Sequence, residues 1–335
     1  MRAFRFPAKL TMPETPHRKA IENARQLLTG RLHRTPILSS QSLNRLSGAQ
    51  LFFKAENFQK TGSFKARGAL NSVLNLSPRE QSAGVATHSS GNHGQALAWA
   101  AREVGVACWV VMPENAPKAK VAAVREYGGE VIFCAANLPA REEGLRQVQN
   151  RTGAHFIPPY DYWPTVYGQA TCAAEILEEE PALDALIAPV GGGGLLAGTC
   201  LSARAFSSGL AVYGAEPEGA DDAFRSLKSG IRVQELEAHT IADGLRTTLG
   251  EITFPIILER VADILLCSDQ EILAAQRLIW ERMKILIEPS CATPLAVVLR
   301  YPKVFANKRL GLILTGGNTD LHPYFAQLAQ SIDQG

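Results

Sequence analysis

The chain has 335 residues, enough for two domains each with its own core. Hydrophobic residues make up 46% and charged residues 20%, which excludes a disordered chain. A formal net charge of +2 gives no electrostatic case for nucleic acid or a membrane surface as partner, and no uncharged apolar run is long enough to span a bilayer. The first nineteen residues, MRAFRFPAKLTMPETPHRK, lack a signal-peptide core; their prolines and charges predict a loose arm. From Pro16 to Leu28, Ile21, Ala24 and Leu27/Leu28 share one face and predict a first helix. Thr35–Ser39 and Leu51–Ala55 read as short strands. A helix follows near Lys65, with Ser63 as its expected N-cap and Phe64, Leu70, Val73 and Leu74 as an apolar stripe. Gly84–Thr87 is a strand running into Ser89-Ser-Gly-Asn-His-Gly94, and Gln95–Val104 is a helix. Strand Ala107–Met112, helix Lys118–Tyr127, strand Glu130–Cys134 and helix Ala140–Thr152 continue the alternation. That rhythm predicts one α/β unit with a parallel sheet. In the second half, helix Gly168–Glu180 and strand Ala185–Val190 lead into Gly191-Gly-Gly-Gly194, which opens helix Leu195–Phe206. Strand Ala211–Glu216, helices Asp269–Met283 and Thr293–Arg300, and strand Leu310–Leu314 complete the pattern. Between them, Glu218 to Glu251 is expected to form loops and short helices over the site.

Several stretches carry chemistry. A lysine at a helix start, its stem packed and its amine partly dried, loses preference for the charged form and becomes a Schiff-base nucleophile. The alternative for Lys65 alone is a solvated helix residue. Four glycines between a buried strand and a helix let backbone amides approach an anion, and the helix N-terminus favours its charge, so a phosphate is the expected guest. Gly192 to Ala197 also fits a degenerate G-x-G-x-x-A, with Glu216 ending the next strand, so a nicotinamide-dependent dehydrogenase is a rival. The hydroxyls of Ser89 and Ser90, Asn92 and the turn amides suit a carboxylate or a ring oxygen. Thr315 ends the last strand, where open α/β sheets place ligand-binding loops. Cys108, Cys134, Cys172, Cys200, Cys267 and Cys291 show no metal or C-x-x-C spacing and read as core thiols of a cytoplasmic protein.

TGSFKARGA at Thr61, SSGNHGQ at Ser89, PPYDYW at Pro158, GGGGL at Gly191, ERMKILIEPS at Glu281 and LTGGN at Leu314 together resemble the serine/threonine dehydratase and serine racemase family. The resemblance covers nearly the whole chain. It implies an α/β pyridoxal-phosphate enzyme of fold type II, tryptophan synthase β-like. Two open, twisted, mostly parallel-sheet domains would hold the cofactor between them. Residues 1–83 and 156–335 would form the large domain, and 84–155 a small mobile one. Lys65 would carry the cofactor as an imine, and Asn92 would bond its phenolic oxygen. Gly191, Gly192, Gly193, Gly194 and Leu195 would hold its phosphate, and Thr315 would face its ring nitrogen. Ser89, Ser90, Gly91, Asn92 and His93 would receive the substrate carboxylate, with Ser90 at the racemase position opposite the lysine. Arg141 is a candidate partner for a substrate carboxylate, the second one of hydroxyaspartate included. Glu216, the Ala220 carbonyl and Asp222 would bind Mg²⁺, Ca²⁺ or Mn²⁺. The implied activity is loss of water from a serine-, threonine- or 3-hydroxyaspartate-type amino acid, giving a 2-oxo acid and ammonia; an amino-acid racemase is the alternative. A homodimer is implied, and isoleucine feedback is not expected, because no long C-terminal extension follows. Cys291-Ala-Thr-Pro-Leu295 departs from the family's small residues after Glu288-Pro-Ser290.

Overall fold

A computed structural model describes residues 14–207 and 209–321. Residues 1–13 of the expected N-terminal arm lie outside them, and residues 14–19 are not loose but begin the first helix.

The chain builds α1 (Glu14–Leu28), β1 (Ile37–Leu38), α2 (Gln41–Ser47), β2 (Gln50–Ala55), α3 (Lys65–Leu74), α4 (Pro78–Ala83), β3 (Val85–His88) and α5 (Asn92–Val104). Then come β4 (Cys108–Pro113), α6 (Lys118–Glu126), β5 (Glu130–Cys134), α7 (Leu138–Thr152), β6 (His155–Phe156), α8 (Trp163–Glu179), β7 (Ala185–Pro189) and α9 (Gly194–Phe206). The last part holds β8 (Ala211–Pro217), α10 (Asp222–Ser229), α11 (Thr253–Arg260), β9 (Asp263–Cys267), α12 (Asp269–Met283), α13 (Pro289–Arg300), α14 (Pro302–Phe305) and β10 (Arg309–Leu314).

Two sheets organise these elements. The larger has six strands in the order β1-β2-β10-β7-β8-β9, parallel except for β1. The smaller has four parallel strands, β5-β4-β3-β6. Because β6 pairs with β3, the smaller sheet reaches Phe156. Each sheet is buried on both faces, which accounts for the near-continuous apolar runs of β4, β7 and β10. In the larger sheet, α2, α12 and α13 cover one face and α8, α9 and α11 the other. In the smaller sheet, α5, α6 and α3 cover one face, while α7 covers the other.

Helix α8 connects the halves by close approach. A Cβ at Gly168 would lie 2.6 Å from both Arg67 O and Gly68 Cα, so α3 and α8 meet backbone to backbone. On its other side α8 meets α9, where a Cβ at Gly198 would lie 2.8 Å from Val166 O. The helix that presents Lys65 and the helix that leaves the glycine run are thereby held on either side of α8.

The structure corrects some local expectations. Ser63 does not cap α3: it is extended (φ −161°), it bridges Gly316, and its buried hydroxyl has no partner. The chain enters α3 instead from a turn with positive φ at Thr61 (60°) and Gly62 (69°). Strand Thr35–Ser39 shrinks to Ile37–Leu38, and α8 starts five residues before Gly168 because Pro164 suits a helix's first turn.

The α3–α8 crossing yields a test. Gly168→Ala should destabilise the protein by about 2 kcal/mol in urea unfolding, since the new methyl strikes backbone atoms that cannot rotate away. Helix propensity alone would stabilise it by up to about 1 kcal/mol. A neutral or stabilised variant would refute the close crossing.

Candidate active site

Lys65 is the first residue of α3. Its side chain is half-buried, and its amine donates to Pro159 O at 2.8 Å and lies 5.1 Å from the centre of the Phe64 ring. Burial pushes the amine down to about 8, an effect partly opposed by the nearby Glu288 carboxyl. At pH 7 about a tenth of such amines are neutral and nucleophilic. The solvated-lysine alternative does not describe this residue.

The next residue after Pro159 reaches the glycine run. A Cβ at Gly192 would lie 2.2 Å from the Tyr160 ring, and one at Gly194 2.9 Å from Tyr160 Cβ. Gly193 has φ +85°, and a Cβ there would meet Thr253 Oγ1, Leu249 and Ile257 at 2.8 Å. Thr253 Oγ1 donates to Gly192 O at 2.8 Å, which anchors the loop from α11. Helix α9 begins at Gly194, so the first-turn amides, Leu195 included, face the loop's end. A cradle that any Cβ would fill, ending on a helix N-terminus, fits a phosphate.

Asn92 opens α5 on the side of the smaller sheet. Its Nδ2 donates to Glu288 Oε1 at 2.8 Å and Oε2 at 3.1 Å, while its Oδ1 accepts from Asn318 Nδ2 at 2.9 Å. Burial, then Asp243, pushes Glu288 up to about 7. Thr315 lies at the end of β10, where its carbonyl accepts from Phe64 N at 3.0 Å. Gly316 O accepts from Glu288 N at 3.0 Å, and Cys291, fully buried, opens α13 beside it. The lysine turn, the last strand and the Glu288 segment therefore converge.

Ser89, Ser90 and Gly91 form the half-buried turn between β3 and α5, with Gly91 N donating to Ser89 Oγ at 3.3 Å. His93 is buried, and its Nε2 bonds Ile157 O at 2.9 Å. A carbonyl only accepts, so Nε2 carries the proton; Nδ1 has no partner. Burial and Lys65 hold the ring down to about 3, so it is neutral. Arg141, half-buried on α7, stands within electrostatic reach of His88, the residue before Ser89; burial and then Arg141 lower the His88 pKa.

At the end of β8, Glu216 accepts from Ala223 N (2.9 Å) and Phe224 N (2.8 Å) of α10. Asp222 Oδ2 accepts from Leu249 N at 3.1 Å, and its buried Oδ1 has no partner. Burial and the mutual repulsion of the two carboxyls raise the Glu216 pKa, and burial raises that of Asp222 to about 7. Among the described residues no group of three or more His, Cys, Asp or Glu side chains is gathered for a metal. Glu216 is fully buried, each oxygen accepting one amide of α10, so it is not displayed at the strand end as the ribose-binding carboxylate of the dehydrogenase rival would be.

Sequence reasoning missed Pro159, Tyr160, Asn318 and the role of Glu288. All four stood inside quoted motifs, PPYDYW, ERMKILIEPS and LTGGN, but nothing local in them signals which distant partner each side chain or carbonyl meets. A cavity of about 150 Å³ lies elsewhere, between α1 and α8 over Arg67. Its arginines are matched by Glu175, Glu178 and Glu179, and it shares none of the chemistry above.

Comparison with known proteins agrees with this geometry. A family model described as pyridoxal-phosphate dependent enzyme matches residues 28–316. The chain is 47% identical over 298 residues to beta-hydroxyaspartate dehydratase of Paracoccus denitrificans, covering 89% of this chain and 95% of that protein. It is 46% identical over 294 residues to L-threo-3-hydroxyaspartate ammonia-lyase of Saccharomyces cerevisiae, covering 88% and 90%. The crystal structure of serine racemase from Dictyostelium discoideum superposes with a TM-score of 0.87 at 47% identity, covering 91% and 99%. With a glycine cradle and a half-dried lysine bridged by two consecutive residues, this α/β chain belongs to the pyridoxal-phosphate dependent enzymes of fold type II.

Proposed function

We propose that the protein eliminates water from a 3-hydroxy amino acid, yielding a 2-oxo acid and ammonia. The observation that carries this reading is that Pro159 holds the Lys65 amine while Tyr160 packs on Gly192. Lys65 and the phosphate cradle thus border one space, which fits pyridoxal phosphate. When bound, that cofactor supplies the electron sink that makes the substrate's α-proton acidic. Glycines 191–194 and Leu195 would hold its phosphate, Asn92 its phenolic oxygen and Thr315 its ring nitrogen. Ser89, Ser90, Gly91, Asn92 and His93 would hold the substrate carboxylate, oriented by the start of α5. Lys65 Nζ in its neutral form takes the α-proton, and Pro159 O receives the resulting ammonium. Water leaves as that proton and the β-hydroxyl, and a water returns when the released enamine hydrolyses.

Among the possible substrates, Arg141 favours one with a second carboxylate, since its charge reaches His88, the residue before the serine turn. We read 3-hydroxyaspartate as the best match, in line with the names of two relatives. A second reading, racemisation, rests on Ser90, which shares the substrate turn and would reprotonate the opposite face. Residues 84–155 are read as a small unit that pivots against 1–83 and 156–335. Glu216, the Ala220 carbonyl and Asp222 are read as holding a divalent cation, magnesium first, because Asp222 Oδ1 is buried without a donor and all three offer hard oxygens. A cytoplasmic homodimer completes the reading. The six thiols are all free, as a reducing compartment requires.

Keto-acid release over both enantiomers of a 3-hydroxy amino acid panel should favour 3-hydroxyaspartate over serine by about tenfold or more in kcat/KM, and Arg141→Met should remove the preference. A preference that survives Arg141→Met would place the second carboxylate elsewhere. Capture of pyridoxal phosphate by the unloaded protein should accelerate about tenfold per pH unit below 8 and level off above it, because only the neutral amine attacks. A rate flat from pH 6 to 9 would contradict the dried lysine. Ser90→Ala should abolish racemisation while sparing elimination from one enantiomer; equal loss of both would reject that division of labour. Chelation should lower the thermal midpoint or the activity, and Mg²⁺ should restore it; if neither responds, the cation site is wrong.

A further inference from the structure

Asn318 lies three residues beyond Thr315, just past the last strand. Its amide nitrogen donates to Thr61 O at 2.8 Å and to Asn92 Oδ1 at 2.9 Å. Its amide oxygen packs over Gly62. One side chain therefore touches both the turn that leads into Lys65 and the residue that opens α5.

An asparagine amide is nearly symmetric in shape, and a half-turn exchanges its oxygen and nitrogen at little steric cost. Its neighbours decide which way it faces. In its ionised form, which prevails above about pH 7, the Glu288 carboxylate only accepts, so it selects Asn92 Nδ2. Asn318 donates, so it selects Asn92 Oδ1. Both partners choose the same orientation. The two oxygens belong to one carboxylate and lie at 2.8 and 3.1 Å on the same side of Nδ2, so a single hydrogen can serve both and the other N–H is left for a further acceptor.

We propose that Asn318 is a positioning residue that locks Asn92 so that a donor, the unspent N–H, is what the cofactor's phenolic oxygen meets. The same side chain fixes the separation between Asn92 and the Lys65 turn. This deepens the cofactor reading above and rests on it. A donor at that oxygen stabilises its ionised form; a flipped Asn92 would set a lone pair against it and favour the protonated phenol.

The test compares absorbance spectra of the parental protein, Asn318→Ala and Asn318→Asp, each loaded with pyridoxal 5'-phosphate. The ratio of the long- to the short-wavelength cofactor band should fall about tenfold in Asn318→Ala, the equivalent of one good hydrogen bond. It should fall further in Asn318→Asp, which keeps the volume but sets acceptors against Asn92 Oδ1 and Thr61 O. Borohydride should still fix the cofactor to Lys65 in all three. A purely structural role predicts the reverse order, because alanine leaves a cavity and aspartate does not. An unchanged ratio, or a larger effect from alanine, overturns the proposal. Should Asn318→Asp lose its circular dichroism, Asn318→Ser decides: a serine that still donates keeps the ratio within about twofold of the parent, and a match to alanine overturns the proposal. A parental protein that takes up no cofactor overturns the cofactor reading with it, whereas a loaded parent with unaltered variants overturns this proposal alone.

Discussion

The guanidinium of Arg67 is the fixed point on which the lysine helix turns. It is almost fully buried and binds Glu56 at 2.7 and 2.8 Å and Glu175 at 2.6 and 2.8 Å. Lys54 completes the group, bonding Glu175 at 2.8 Å and Thr35 O at 2.7 Å. Two cations and two anions share this interior space, so their charges cancel. Such a network adds little net stability over an apolar core, but losing one member strands the others, at about 3–5 kcal/mol. Its value lies in geometry. The four charges come from β2, the turn after it, α3 and α8, so they fix the rotation of α3. Two residues of helix are about 200° of rotation. With Arg67 pinned toward α8 and β2, Lys65 is turned the other way, toward Pro159.

The other end of the same helix turn is electrostatically the opposite. Lys65 and Glu288 are both desolvated, and neither has a partner that fully compensates it. Burial drives the lysine down toward 8 and the glutamate up toward 7, so both are displaced toward the physiological range. A balanced pair would have frozen both charges, as at Arg67. Leaving them incompletely matched keeps an amine able to lose its proton, which is what imine chemistry asks of it. The chain therefore places a closed charge network two residues from an open one.

Much of this was legible in the sequence, for reasons that are local. The glycine run signals itself because four missing side chains between a strand and a helix have few other uses. Lys65 and Asn92 stood at helix starts, and hydrophobic runs marked β4, β7 and β10. Strand β9 was missed although Asp263-Ile-Leu-Leu-Cys267 is apolar, because it follows a long irregular stretch with no turn signal to frame it. Ser63 was misread as a cap because the sequence pattern cannot show that its backbone is spent on Gly316, more than 250 residues away. The same holds for Asn318: its partners Thr61 and Asn92 are 257 and 226 residues distant. Periodicity reads neighbours along an element, and these bonds join the ends of different ones.

The two sheets divide the work unequally. The larger sheet and its loops supply the glycine cradle, Thr315, Glu288 and Asn318, the groups that the proposed reading turns toward the cofactor. The smaller one supplies the Ser89–Asn92 turn and Arg141, which the same reading assigns to the substrate. Their apolar contact runs through α3 and α5, the helices that begin with Lys65 and Asn92. At the mouth the polar ties are Asn92 with Glu288 and Asn318, and Lys120 with Asp243 at 2.6 Å. Asp243 is largely exposed, so the second tie is worth under about 1 kcal/mol. The stronger tie is thus the one made by Asn92, the residue proposed to face the cofactor. A shift of the smaller sheet must break or bend the Asn92 bonds, and so must disturb the donor that Asn92 offers. On the proposed assignments, substrate seating on one sheet and cofactor electronics on the other would be joined through that single amide.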